Sequence, residues 1–202
     1  MISQRLRIFT NFVVLCSITC VAILHIVRAE LNPVSHRLSE YANGPYGWMM
    51  TAAFITLGGG VMALGLTVWA GRGQDKHRWI ILATALLAAV GTLLSGMFKT
   101  GDSDFSELVH SRASAVAVVA MVALALTSSV PFERRAVHPQ RDPVGAGLAL
   151  TAAVLTLISP ALHHTRWTGL SQRLLWVALL TWLLRTVWQY RSAPEQPQQL
   201  RE

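Results

Sequence analysis

Six long apolar runs occupy most of the chain and constrain its fold more than any other feature. They cover residues 8–27, 47–70, 79–98, 110–130, 143–163 and 172–190. Each run is about as long as the roughly 20 residues that an α-helix needs to cross a bilayer core. The runs do not alternate with period two, which excludes membrane β-strands. We therefore predict an all-α, polytopic transmembrane bundle of six helices over residues 1–191, with a disordered cytoplasmic tail over 192–202.

The composition agrees with a chain whose surface faces lipid. Of its 202 residues, 52% are hydrophobic and 13% are charged, and the mean hydropathy is +0.43. A soluble domain carries about 25% charged residues. The net charge of +7 does not indicate nucleic acid, because the basic residues lie mainly in short segments between the apolar runs. There they can meet anionic lipid head groups. The predicted partner is therefore the lipid bilayer, with no nucleic acid.

The distribution of lysine and arginine predicts how the chain is oriented. The N-terminus, the second and fourth connections and the tail hold ten of these residues, whereas the other three connections hold six. Because basic residues are enriched on the cytoplasmic side, we predict a multi-pass protein of the plasma or inner membrane with both termini in the cytoplasm. Cys16 and Cys20 lie inside the first run, where we interpret them as inert packing thiols.

Glycines are concentrated in the second and third runs. Gly58, Gly59, Gly60 and Gly65 lie in the second, and Gly91 and Gly96 lie in the third. Small residues let membrane helices approach closely, so the pattern predicts tight packing. The three consecutive glycines are also compatible with a hinge.

Residues able to carry chemistry lie mainly on the first, third and fifth connections. These hold five of the ten acidic residues and four of the seven histidines: Glu30, Glu40, Asp102, Asp104, Glu107, His36, His110, His163 and His164. A six-helix bundle brings these connections to one side, and ionisable groups near lipid tend to face a protein interior or a cavity. We therefore expect a shared polar site at the external membrane face.

Local spacings suggest several roles for these residues. Glu107 lies three residues before His110 and could orient its imidazole, although an acidic first helical turn explains the carboxylates equally well. His163 and His164 point about 100° apart on a helix, so the pair suits helix capping better than one shared metal. Ser39 lies close to His36 and Glu40, but no G-x-S-x-G motif accompanies it.

Two hypotheses follow. In the first, the protein is a lipid-modifying or metal-dependent enzyme that acts on a lipid or lipid-linked ligand. Its catalytic residues would be His110, Glu40, Asp102 and Ser39, and its substrate contacts would be Arg37, Arg112, Tyr41 and Arg173. His110, His164 and Asp102 could then hold a divalent metal such as zinc, whereas a haem would need His25 with His110 or His163. In the second, the protein is a small transporter, sensor or membrane assembly partner.

One segment of the chain resembles a known family. The run from His36 to Trp48, HRLSEYANGPYGW, resembles the signature of domain-of-unknown-function family 998, a family of six-helix integral membrane proteins. Looser matches follow at Phe98, Thr100, Asp102, His110, Gly169, Arg173 and Trp176. Two departures are Gly101, which separates Thr100 from Asp102, and Gln172, which replaces an expected acid. The resemblance implies the six-helix architecture and the same connections, but no activity.

Overall fold

The structure, a computed structural model, describes residues 2–71, 77–129, 142–163 and 165–189. These residues form six α-helices and contain no strand, which confirms the all-α prediction. The helices are α1 (Ile2–Val27), α2 (Gly47–Gly71), α3 (His77–Met97), α4 (Asp104–Ser129), α5 (Pro143–Leu162) and α6 (Thr168–Gln189). A short 3-10 helix, Leu38–Ala42, lies in the first connection. The tail predicted over 192–202 lies outside the described residues.

The helix bounds differ most from the apolar runs at the starts of α1 and α4. Both helices begin six residues earlier than the corresponding run, at Ile2 and Asp104. In α4 the extra residues include Asp104 and Glu107 in the first turn. Carboxylates there interact favourably with the unpaired backbone N–H groups of the helix start, so a polar segment extends the helix.

Five of the six helices are long and apolar enough to cross a membrane. They are Gln4–Val27, Gly47–Ala70, His77–Met97, Asp104–Ser129 and Pro143–Leu162. Helix α6 has 22 residues but carries Arg173 and Arg185, which lower its hydropathy. The protein is therefore a multi-pass membrane protein in which α6 is the most polar helix of the bundle.

Each helix packs mainly against the next helix in the chain, and α6 returns to contact α1. The largest core cluster joins residues of all six helices around Trp182, which is 1% exposed. The indole Nε1 of Trp182 donates a hydrogen bond to the Ser129 hydroxyl at 3.1 Å. Helix α6 therefore contributes a central aromatic side chain, and its polar atom is satisfied by α4.

Glycines set the closest approaches between helices. A Cβ atom on Gly65 of α2 would lie 2.2 Å from the Cβ of Ala85 of α3, and one on Gly96 would lie 2.6 Å from the Cβ of Phe54. By contrast, a Cβ on Gly59 would meet no atom within 4 Å. Two of these three positions therefore require glycine because the neighbouring helix occupies the space.

An ion pair joins α6 to the start of α5. The Arg185 guanidinium donates from Nε to both carboxylate oxygens of Asp142, at 2.9 and 3.1 Å, and its Nη2 lies 2.8 Å from Oδ1. Burial of the Asp142 carboxyl opposes its ionisation. Burial is the largest single effect, but the hydrogen bonds from Arg185, the Gly145 backbone and Gln189, with the charge of Arg185, together outweigh it and lower the pKa of Asp142 below the usual value. The polar end of α6 is thus satisfied within the bundle.

Candidate functional site at the distal end of the bundle

The first, third and fifth connections meet at one end of the bundle. The backbone N–H of Leu170 donates to the carbonyl of Val34 at 3.0 Å. The side-chain carbonyl of Gln172 accepts a bond from the N–H of Leu38 at 2.7 Å. The Thr100 hydroxyl reaches the Ser39 carbonyl at 3.5 Å. We call this end the distal end, because α1 begins at the opposite one.

Arg28 anchors the first connection to the end of α1. Its guanidinium donates to the Glu30 carboxylate and to the carbonyls of Asn43 and Pro45, the last at 3.3 Å. The hydrogen bond from Arg28 lowers the pKa of the exposed Glu30 carboxyl below its usual value. The segment therefore has a defined position over the bundle.

Arg173, near the start of α6, is the centre of the polar cluster at the distal end. Its Nε donates to His25 Nε2 at 3.0 Å. One Nη1 hydrogen bond goes to the carbonyl of His36 at 2.7 Å and another to the carbonyl of Gly169 at 3.0 Å. Its Nη2 lies 3.3 Å from the Tyr41 hydroxyl. These bonds use four of the five N–H groups of the guanidinium.

No carboxylate within the described ranges pairs with Arg173. The acceptors around it are an imidazole, two carbonyls and a hydroxyl, all of which are neutral. Arginine stays protonated in proteins. The cluster therefore carries a positive charge that its own contacts do not neutralise, with one N–H of Nη2 still available.

The hydrogen bonds of His25 define its protonation. Its Nδ1 lies 2.8 Å from the carbonyl of Val21, which can only accept, so Nδ1 carries the hydrogen. Its Nε2 accepts from Arg173 and must be unprotonated. The ring also packs against Tyr41, with centroids 5.0 Å apart. In this arrangement His25 is neutral and acts as a positioning residue for the guanidinium.

A groove runs from this cluster into the membrane region between α1, α2 and α6. Its volume is about 350 Å³, and Arg173 and His25 lie among its lining residues. Apart from these two and Ser17, the lining is apolar or sulfur-containing, and it includes Ile18, Val21, Phe54, Leu57, Trp176 and Leu180. The Ser17 hydroxyl is already bonded to the Ala53 carbonyl at 2.9 Å. The groove is therefore an apolar channel with a cationic end.

The groove opens towards lipid between α1 and α6. Ala22 and Val177 line it and are both exposed, and Val177 is 61% exposed. A molecule dissolved in the bilayer could therefore enter from the side, without crossing the polar cluster. We call this cavity the α1–α6 groove.

Several residues predicted from the sequence lie together here. Arg37 donates to the Glu40 carboxylate from its backbone N–H at 3.1 Å and from Nε at 3.2 Å, and its Nη1 lies 3.3 Å from His163 Nε2. Tyr41 and Glu40 belong to the same 3-10 helix. The structure thus brings Arg37, Glu40 and Tyr41 into the region of Arg173.

Ser39 lies in the same 3-10 helix but is 4% exposed. Its carbonyl accepts the bond from Thr100, and no histidine in the described part of the chain is hydrogen-bonded to its hydroxyl. The arrangement of serine, histidine and acid that nucleophilic catalysis needs is therefore not seen around Ser39.

His110 is buried between α3 and α4 and is 6% exposed. Its Nδ1 lies 2.9 Å from the carbonyl of Ser95 and 2.8 Å from that of Phe98. Its Nε2 lies 3.4 Å from the Ser114 hydroxyl. The ring therefore satisfies carbonyls at the end of α3, and it contacts Phe54 edge to face at 6.1 Å between centroids.

The acidic residues near His110 have other environments. Glu107 accepts from the backbone N–H of Gly101 at 2.9 Å, so it does not orient the imidazole. Asp102 is exposed. His164 lies outside the described residues, and within those residues no group of three or more His, Cys, Asp or Glu side chains could hold a metal. The zinc site made by His110, His164 and Asp102 stays a prediction.

Arg112 lies apart from the Arg173 cluster. It is exposed on α4 and lines a groove between α3 and α4. The residues predicted to contact one anionic head group are therefore divided: Arg37, Tyr41 and Arg173 share one region, and Arg112 faces another.

The pairing of His25 with Arg173, 148 residues later, is the main feature that sequence reasoning did not find. A partial signal exists in the spacing of Gly169 and Arg173, which places them on one face of α6. A Cβ on Gly169 would lie 2.3 Å from the carbonyl oxygen of His36 and 2.6 Å from that of Pro33. Glycine at this position therefore lets the first connection approach α6 closely enough to bond Arg173.

Comparison with known proteins identifies the family. The model of the family described as "Protein of unknown function (DUF998)" matches residues 13–189. Neither a curated protein nor a solved structure matches the chain. The family match begins within α1 and extends to the end of α6, and it agrees with the resemblance in the first connection. The chain therefore belongs to the DUF998 family.

Proposed function

We propose that this protein binds a membrane amphiphile with an anionic head group, such as a lipid or a lipid-linked molecule. The apolar chain would occupy the α1–α6 groove, and the head group would meet Arg173. The observation that carries the proposal is that an apolar groove ends at a guanidinium whose charge no described carboxylate compensates. Arginine suits such a head group because its planar donors match phosphate and carboxylate oxygens.

The lining of the groove supports an apolar chain as the buried part of the ligand. Its polar side chains other than those of the Arg173 cluster are few, and Ser17 is already bonded. A water-soluble ligand would leave its polar groups unpaired there, which is costly. Lateral opening between Ala22 and Val177 supports entry from the bilayer.

Arg173 is a better head-group contact than Arg37. The carboxylate of Glu40 already pairs with Arg37, so an incoming anion would have to compete with it. Around Arg173 an anion would add the missing negative charge and could use the remaining N–H. Tyr41 is 1% exposed and is not among the lining residues of the groove; held by its bond to the Leu31 carbonyl at 3.1 Å, it would position the Arg173 guanidinium.

The described geometry supports binding more than catalysis. The ring nitrogens of His25 and His110 contact protein groups in this arrangement. The Ser114 hydroxyl that lies 3.4 Å from His110 Nε2 donates to the Ser95 hydroxyl at 2.9 Å, and no described carboxylate is hydrogen-bonded to either ring. A lipid-binding step in transport, sensing or assembly follows most directly from the site. The enzyme hypothesis stays a prediction, for which the test is loss of a lipid product in His110→Ala and Glu40→Ala proteins that still insert normally.

Blocking the groove tests the proposal. The protein is placed in nanodiscs that contain phosphatidylglycerol with a photoactivatable group on its acyl chain, and labelled peptides are mapped by mass spectrometry. Labelling is expected on α1, α2 and α6. An Ala22→Trp substitution places an indole at the groove opening. We expect labelling of α1, α2 and α6 to fall by about tenfold, equivalent to a loss of about 1.4 kcal/mol in binding free energy.

The matched control is Ala115→Trp, which changes an exposed alanine of α4 that does not line the α1–α6 groove. It should leave labelling on α1, α2 and α6 unchanged. The same experiment with photoactivatable phosphatidylcholine tests the head group, because its added positive charge should reduce labelling near Arg173. Equal labelling by both lipids, or labelling that Ala22→Trp does not reduce, would contradict the proposal.

A further inference from the structure

A second groove lies between α3 and α4, on the surface that faces lipid. Its volume is about 340 Å³. Small residues form its floor: a Cβ on Gly91 would lie 2.7 Å from the Ala113 carbonyl oxygen and 2.9 Å from the Ala117 nitrogen. Larger side chains, including Leu87 and Leu108, rise on both sides. The close approach at Gly91 thus produces a channel flanked by apolar walls.

Arg112 is the one charged residue among those that line this groove. It is exposed, and it forms no hydrogen bond or ion pair with any residue in the described ranges. It lies eight residues after the start of α4 at Asp104, about 12 Å along the helix. Helical side chains lean towards the N-terminus, so its guanidinium is directed back towards the distal end.

The free-energy cost of placing Arg112 at this position indicates which kind of ligand the groove binds. An arginine on a lipid-facing helix surface is unfavourable unless its guanidinium reaches the head groups or pairs with an anion. The guanidinium groups of Arg173 and Arg185 are hydrogen-bonded inside the protein, to His25 of α1 and to Asp142 respectively. Arg112 has no such contact among the described residues, which leaves its guanidinium available to an anion from outside the described bundle.

We infer that the α3–α4 groove is a binding site for an anionic phospholipid of the distal leaflet. One acyl chain lies over Gly91 and Ala113 between the apolar walls, and the phosphate pairs with Arg112. A phospholipid fits better than a protein helix because the groove is only about 12 Å long on α4, from Leu108 to Val116. The site is separate from the α1–α6 groove and does not depend on the function proposed for it.

The inference is tested with the same two photoactivatable lipids in nanodiscs, now by reading labelled peptides that contain residues 87–94 and 108–116. Wild-type protein should give more labelling with phosphatidylglycerol than with phosphatidylcholine. An Arg112→Gln substitution should remove this preference and reduce phosphatidylglycerol labelling by about five- to tenfold, since one charge-assisted contact is lost. Labelling in the α1–α6 groove should stay unchanged.

The matched control is Arg166→Gln, which removes another exposed arginine at the distal end, one that stacks on Trp167 at 4.9 Å from the ring centroid. It should retain the lipid preference on α3 and α4. A second variant, Leu108→Trp, fills the groove near its distal end and should reduce labelling without removing charge. Labelling that is equal for the two lipids in the wild type, or unaffected by both Arg112→Gln and Leu108→Trp, would overturn the inference.

Discussion

The two best-positioned histidines at the distal end have different roles, although the sequence alone makes them look similar. His25 donates to a carbonyl of its own helix and accepts from Arg173. His110 contacts two carbonyls at the end of α3. One imidazole therefore helps to position a cation beside a groove, and the other closes the end of a helix.

At this scale we predict that His110 contributes to stability. His110→Ala leaves the buried carbonyls of Ser95 and Phe98 with fewer partners, which should reduce the free energy of unfolding by about 1–3 kcal/mol. The measurement is thermal unfolding in detergent, together with lipid labelling of the α1–α6 groove, which should not change. His36→Ala is the control, because its Nδ1 contacts are longer, at 3.3 Å to Ser35 and Asn32. An unfolding temperature equal to the wild type in His110→Ala would contradict this role.

Between elements, the spacing of the helices depends on which glycines face a neighbour. A Cβ on Gly65 of α2 would overlap the side chain of Ala85 of α3, whereas Gly59, six residues earlier, has open space around its Cβ position. Six residues apart on a helix, the two glycines lie on different sides of α2. The same substitution at Gly59 and at Gly65 can therefore be compared directly to test how closely α2 and α3 approach.

We predict opposite effects from the same substitution at these two positions. Gly65→Ala forces α2 and α3 apart and should destabilise the protein by about 1–3 kcal/mol. Gly59→Ala introduces no contact and should be neutral or stabilise the helix by up to about 1 kcal/mol. Thermal unfolding of both variants in the same detergent measures the difference. Equal effects at the two positions would mean that α2 and α3 do not approach as described.

For the whole molecule, six helices place the ends of the described chain on the same side of the bundle. The positive charge counted along the sequence predicts that this side is cytoplasmic, and on that prediction the Arg173 cluster and the α3–α4 groove would lie at the external face. Helix α6 decides this topology, because without it five crossings would separate the termini. Its two arginines make it the least apolar helix, yet both have partners elsewhere in the bundle, His25 of α1 and Asp142 immediately before α5.

We predict that topology reporters fused to the two termini place both termini in the cytoplasm. Fusions of green fluorescent protein to either end should fluoresce, because it folds in the cytoplasm, whereas alkaline phosphatase fusions at the same positions should stay inactive. A phosphatase fusion truncated within the third connection, at Gly101, should be active and serves as the positive control. Opposite locations of the two termini would show that α6 does not cross the membrane.

Much of the fold could be predicted because apolar length and continuity act locally. Six runs of about 20 residues must bury their backbone polar groups in helices when lipid surrounds them, and this requirement needs no knowledge of neighbours. The helix bounds were less accurate where polar residues extend a helix, as at the start of α4. There the favourable interaction of Asp104 and Glu107 with the N-terminus of the helix determines where α4 begins.

The candidate site, too, could be predicted from the sequence only in part. Residue types and their placement on the first, third and fifth connections follow from the sequence, because an up-and-down bundle brings alternate connections together. The sequence does not show which residues become partners. His25 bonds Arg173 across 148 residues, and His110 is directed towards α3. Arg112 lines a different groove, away from Arg37. Side-chain direction around each helix and the closeness permitted by Gly91 and Gly169 are properties of packed pairs. Only the tertiary structure therefore determined which charges share a pocket.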